Sequence, residues 1–209
     1  LGGLKEASAA TSATFINFVG IASIAKGFEM AFALDKAAAG FAKATGTGRE
    51  YQETIFRTYE DVRHLGVNLG ESAAATLDLF ENFSMFTELA GNAKREVIGT
   101  VASLANLGIA SKTSAANLEI STRALGMTTT EALRAQKEIA KLAISIGVSA
   151  GKMAADFTQA MTVLAAQGDR AIGIFRNLQI QSKQTGIAQA DLLQIVGQFD
   201  TYRGAAEAA

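Results

Sequence analysis

His64 is the only histidine of this chain, and the chain has no cysteine. Thiol nucleophiles, disulfides and cysteine metal sites are therefore excluded, and one imidazole does not make the multi-histidine set of a usual metal centre. His64 stands two residues before Gly66, where a cation at a helix C-terminus is electrostatically favoured; a structural role is the expectation. Glu60 and Asp61 are the nearest thing to a paired acid and base, but neighbours in sequence diverge on a helix instead of converging. The stretch Thr45-Gly46-Thr47-Gly48 places two glycines two apart. A dinucleotide or phosphate cradle needs a further glycine and a preceding strand, so this reads as a loop, with Thr47 and Glu50 fitting a capping box. Lys94-Arg95 and Arg170 read as an ordinary solvated surface. At a net charge of −1 the chain also lacks the basic footprint that phosphate backbones require. No catalytic residue, cofactor, metal or small-molecule substrate is expected, and neither is a specific nucleic acid.

Two apolar groups remain. Phe80, Phe83 and Phe86 recur at spacing three beside Leu77, Met85 and Leu89, which reads either as core or as a face for a partner helix. Between Glu6 and Lys26 lie 19 uncharged residues, among them Phe15, Ile16, Phe18, Val19, Ile21 and Ile24. That length is near a bilayer span, but six of the positions are Ser, Thr or Asn and many others are Ala or Gly. A buried or self-associating helix pair over about 6–26 and 28–44 fits better, because small residues let helices approach closely. The six large apolar residues are the candidates for self-association or membrane contact.

The elements that must carry these residues follow from composition. The 209 residues include no proline and 41 alanines, the worst and best helix formers, about 3 kcal/mol apart in a helix interior. Apolar residues at i, i+3/i+4 and i+7 form helical stripes: Ala132, Ala135, Ile139, Leu142 and Ile146, for example, or Met153, Phe157, Ala160 and Leu164. Between the stripes stand Gly66, Gly91, Gly108, Gly126, Gly147, Gly168 and Gly186, most followed by an apolar residue, as expected of left-handed helix stops. Ser111, Thr128, Ser149 and either Asp191 or the alanine before it follow as candidate N-caps, Thr128 with Glu131 in a capping box. The predicted fold is all-α: about ten short-to-medium helices in helical hairpins, arranged either as a solenoid or as an irregular array. Residues 1–45 form an apolar Ala/Gly-rich segment, with a multi-helix array over 46–209. The start at Leu1 and the close in Ala208-Ala209 suggest part of a longer protein.

Three stretches carry a resemblance. Gly46-x-Gly48-Arg49-Glu50-Tyr51 with Gly66-Val67 is one. Gly147-Val148-Ser149 with Lys152-Met153-Ala154-x-Asp156-Phe157 is the second. Phe199-Asp200-Thr201-Tyr202-x-Gly204-Ala205-Ala206 is the third. Together they resemble large structural proteins of tailed bacteriophages, tape-measure-like tail proteins in particular, over about residues 45–209. The resemblance implies a mostly helical chain packed in the tail interior of the virion, after assembly in the host cytoplasm. Its length would set tail length, and it would leave ahead of the DNA at infection. The partners so implied are further copies of itself (a trimer is one form), tail tube, tip or baseplate proteins and, transiently, the host membrane. A helical interaction scaffold without viral role and a pore-forming protein acting through residues 7–25 are the alternatives.

Overall fold

A computed structural model of the chain describes residues 26, 27, 29–47 and 49–197. These form nine helices: α1 (29–45), α2 (Gln52–Val62), α3 (Leu69–Asn82), α4 (Gly91–Ala105), α5 (Ser111–Arg123), α6 (Thr129–Ser145), α7 (Ala150–Leu164), α8 (Ala171–Thr185) and α9 (189–197). Short 3-10 turns precede α2 and α8 and follow α2 and α3, and no strand occurs among the described residues. The all-α expectation holds. Of the N-terminal pair, the helix expected at 28–44 is α1, while the one expected at 6–26 lies outside the described residues apart from its last position.

Local chemistry sets the boundaries. Thr128 and Glu131 form the expected capping box at α6, and Ser149 accepts the Lys152 N–H at the start of α7. A second box, Asn68 with Glu71, opens α3. After α4, Gly108 takes φ +84°, so the Ile109 N–H reaches back to the Leu104 carbonyl at 3.2 Å and Gly108 to Ala105 at 2.9 Å. The turn after α6 repeats this with Gly147, Val148 bonding Ala143. The pattern is a left-handed stop closed by an apolar residue. Three expectations differ. Gly91 is the first residue of α4 and stops nothing; Ala90 before it is extended. Ser111 lies inside α5, whose N-cap is Ala110. Asp191 and the alanine before it both fall within α9, the Asp191 N–H bonded to the Ala188 carbonyl.

Short turns force neighbours into hairpins, and the hairpins stack. Helices α2 to α8 pack against the next helix in sequence and against the next but one. Two layers result, α2, α4, α6 and α8 in one, and α3, α5 and α7 in the other. Helix α1 extends the second layer, with Ala33, Gly40 and Phe41 beside Gly70 and Ala73 of α3. Helix α9 extends its other end, with the Gln189 amide donating to the Asp156 carbonyl of α7. The result is an array of stacked helical hairpins. One core cluster runs from Phe41 through Ile55, Leu79, Phe83 and Val101 to Leu133. A second runs from Leu104 through Ile139, Phe157 and Phe175 to Leu193.

Buried polar groups fix the register of the stack. Asn117 of α5 donates to the Ala154 carbonyl of α7 at 3.1 Å and accepts from Thr158 at 2.7 Å. The Gln136 amide of α6 donates to the Ser114 carbonyl of α5 at 2.7 Å. Each bond satisfies a group that would otherwise be costly to bury.

Candidate functional site

Phe80, Phe83 and Phe86 do not form a docking stripe. Phe80 ends α3's apolar face, Phe83 caps the helix in an extended conformation, and Phe86 lies on the 3-10 turn Ser84–Glu88. Phe83 and Phe86 are buried in the chain's own core, and Phe80 packs half-buried against it. The chain breaks from α-helical geometry after Asn82, so spacing three no longer means one face. Their neighbours are Phe41 and Tyr51. Phe41 meets Phe80 edge-on at 5.6 Å, and Tyr51 stacks on Phe86 at 6.1 Å. Burial, and secondarily the charge of Glu50, pushes the Tyr51 hydroxyl's pKa above its ordinary value.

Lys94 is not part of a plain solvated surface. Its ammonium sits 5.5 Å from the centre of the Tyr51 ring and 6.0 Å from that of Phe86, a cation–π arrangement that anchors α4 on the aromatic cluster. Glu60 and Asp61 diverge as expected, Glu60 to Arg63 at 3.5 Å and Asp61 to Arg95 at 3.6 Å. His64 lies in the 3-10 turn Arg63–Leu65, ahead of Gly66 in the left-handed conformation. Thr45 bonds the Phe41 carbonyl and meets the Thr47 hydroxyl at 2.7 Å, so this loop continues the end of α1. Phe15, Ile16, Phe18, Val19, Ile21 and Ile24 lie outside the described residues.

No group of three or more His, Asp or Glu among the described residues is placed to hold a metal ion, and no described helix is long and apolar enough to cross a membrane. A groove of about 570 Å³ lies in the first layer, between α2 and α4 on one side and α6 on the other. Its floor is Gly99, Thr100, Ser103 and Ala140. Helices α2 and α4 run parallel beside it: Asp61 pairs with Arg95, Val62 lies against Gly99, and the Asn106 amide donates to the Leu65 carbonyl. At the C-terminal ends of the three helices stand Leu65, Leu107 and Ile144, exposed by 54%, 48% and 63%. Ile187, just past the end of α8, is the fourth of this series at 44%. The walls also carry Glu96 on α4 and Lys137 and Lys141 on α6. Among the described residues none of these three makes an ion pair.

Sequence reasoning did not find this groove. A signal existed: large aliphatic residues at the ends of alternate helices, recurring at intervals of 42, 37 and 43 residues. It was masked because an apolar residue beside a stop glycine normally packs back on its own helix.

The stretches behind the phage resemblance are structural in this fold. Tyr51, Val67, Met153, Ala154 and Phe157 are core positions, Gly66 and Gly147 are stops, and Lys152 and Asp156 pair at 2.6 Å. Residues 199–206 lie outside the described residues. No family model, curated protein or solved structure matches the chain.

Proposed function

We propose that the chain is a non-enzymatic structural segment of a phage virion, part of a tape-measure-like tail protein. In this reading it helps set tail length, contacts the tail tube, tip or baseplate, and is ejected during DNA delivery, having assembled with its partners in the host cytoplasm. The observation that carries the reading is the resemblance of the three stretches, two of which supply stops, a cap and core contacts, one around α2 and the other at the start of α7. A cysteine-free, proline-free stack of short helices with contacts between sequence neighbours also suits a chain that must pass through a narrow tube and refold. Nothing covalent locks it, and each hairpin is released without disturbing distant ones.

An in-frame deletion of residues 46–209 from the parent gene tests this. The expected result is normal capsids with tails of altered length or none at all, and loss of infectivity. Tails of normal length on infectious particles would overturn the reading. A helical interaction scaffold is the second reading, favoured by the exposed apolar groove of α2, α4 and α6. A membrane-inserting role rests on residues 7–25 alone. Failure of a 1–45 peptide to bind or leak liposomes would remove it.

A further inference from the structure

We propose that the α2/α4/α6 groove binds a single-chain amphiphile with a carboxylate head. The head lies over Thr100 beside Lys137 and Lys141, and the hydrocarbon chain runs to Leu65, Leu107 and Ile144. The groove alone carries this, whether or not the chain belongs to a phage tail.

Thr100 is the residue that points to a ligand. A hydroxyl inside a helix can return to the carbonyl one turn back, and the other buried threonines do so: Thr58 to Thr54, Thr76 to Ser72 and Thr122 to Leu118. Ser103, beside Thr100 in the groove, likewise donates to the Gly99 carbonyl at 2.6 Å. Thr100 is only 8% exposed and lines the groove, yet its hydroxyl bonds nothing among the described residues. A buried donor left unpaired is costly, and an acceptor entering the groove satisfies it.

Charge gives the sign and size of that acceptor. Lys137 and Lys141 lie one turn apart on the α6 wall, and Glu96 lies one turn before Thr100 on α4. These three are the unpaired charges of the groove, since Asp61 and Arg95 already satisfy each other at 3.6 Å. Two positive groups and one negative leave a single positive charge, which matches a carboxylate and not a phosphate dianion. The carboxylate accepts charge-assisted bonds from the ammoniums together with the Thr100 hydroxyl. Glu96 repels an anion placed any further from the apolar end.

The direction of the hydrocarbon chain follows from both walls. Helices α4 and α6, alternate members of successive hairpins, run the same way. Leu107 stands seven residues after Thr100, and Ile144 three after Lys141 and seven after Lys137. Each wall therefore turns from polar to apolar over about 10 Å toward the helix C-termini, where Leu65 joins from α2. The groove volume, about 570 Å³, is that of a small-molecule site.

Isothermal titration calorimetry of the full 209-residue chain with decanoate, below its micelle concentration, tests the proposal. The expected result is saturable one-to-one binding. Decyltrimethylammonium, with the same tail and the opposite head, and acetate, with the head and no tail, should each bind at least about tenfold more weakly. Octanoate should bind severalfold more weakly than decanoate, as the loss of two buried methylenes requires. Lys137→Gln with Lys141→Gln should weaken decanoate binding at least about tenfold, and Glu96→Gln should tighten it. Thr100→Val should weaken it about tenfold while the melting temperature stays at or above the parent value, because the hydroxyl removed bonds nothing in the free protein. Absence of saturable binding, equal binding of the cationic amphiphile, an affinity unmoved by the lysine pair or by Thr100→Val, or a groove closed by self-association of the chain would each overturn the proposal.

Discussion

Thr128, Ser149 and Asn68 each hold the first turn of a helix through one side-chain oxygen. Ser149→Ala should therefore cost about 1 kcal/mol, measured by urea unfolding. At Thr128 the effect acquires a pH dependence. The Thr128 hydroxyl, followed by its backbone N–H, bonds the Glu131 carboxylate and holds its pKa below the ordinary value. A depressed carboxyl contributes stability above the ordinary carboxylate range and loses it as pH falls through the folded-state value. The penalty of Thr128→Ala should accordingly be largest near neutrality and shrink on acidification through that range. Asp78 has the opposite sign. Burial first, and then the charge of Glu81, raises its pKa, with Lys112 opposing. Its ionisation works against the fold, so Asp78→Asn should stabilise the protein at neutral pH, with the gain vanishing as pH falls and Asp78 itself becomes protonated. Unfolding curves at a series of pH values separate the two.

At the scale of the helix, the sequence was legible where one local force decided the outcome. The Thr128–Glu131 box, the Gly108 and Gly147 stops and the α6 and α7 stripes are set within a few residues, and the structure has them as expected. Ser111 was misplaced because the turn after α4 closes on Ile109, whose N–H is taken by Leu104; the extended residue that remains to start α5 is Ala110. Phe80, Phe83 and Phe86 were misread as a possible stripe because nothing local announces that the chain leaves helical geometry at Phe83. The Asn117 bridge between α5 and α7 was not legible at all, since its partners lie 37 and 41 residues away. That bridge gives a clear expectation. Asn117→Ala should cost about 2 kcal/mol, by removing two buried hydrogen bonds and leaving a small void, a loss readable in the urea midpoint with the slope unchanged.

Over the whole molecule, contacts reach chiefly one and two helices along the stack, and stability should be distributed accordingly. In such an array each unit is supported by its neighbours, and the terminal units have support on one side only. Native-state hydrogen exchange should show the strongest protection in α5 and α6, which have helices stacked on both sides, with protection declining toward α1 and α9. Uniform protection along the chain would mean a single all-or-none core. The groove was beyond sequence reasoning for the same reason. Leu65, Leu107 and Ile144 come together at the groove only through the stacking of alternate helices, a relation that no single helix contains.

The close approach of Gly151 to the Gly108 carbonyl carries one more consequence. A methyl group at Gly151 would collide with that backbone oxygen, which belongs to the turn joining α4 to α5, while Gly151 lies in the first turn of α7. This contact therefore acts as a spacer fixing how far one hairpin is rotated relative to the next, and hence the curvature of the whole stack. Gly151→Ala should not merely lower stability, by about 1–3 kcal/mol for an overpacked contact. It should also straighten or tighten the superhelix, a change in overall dimensions that small-angle X-ray scattering would register while helix content stays constant.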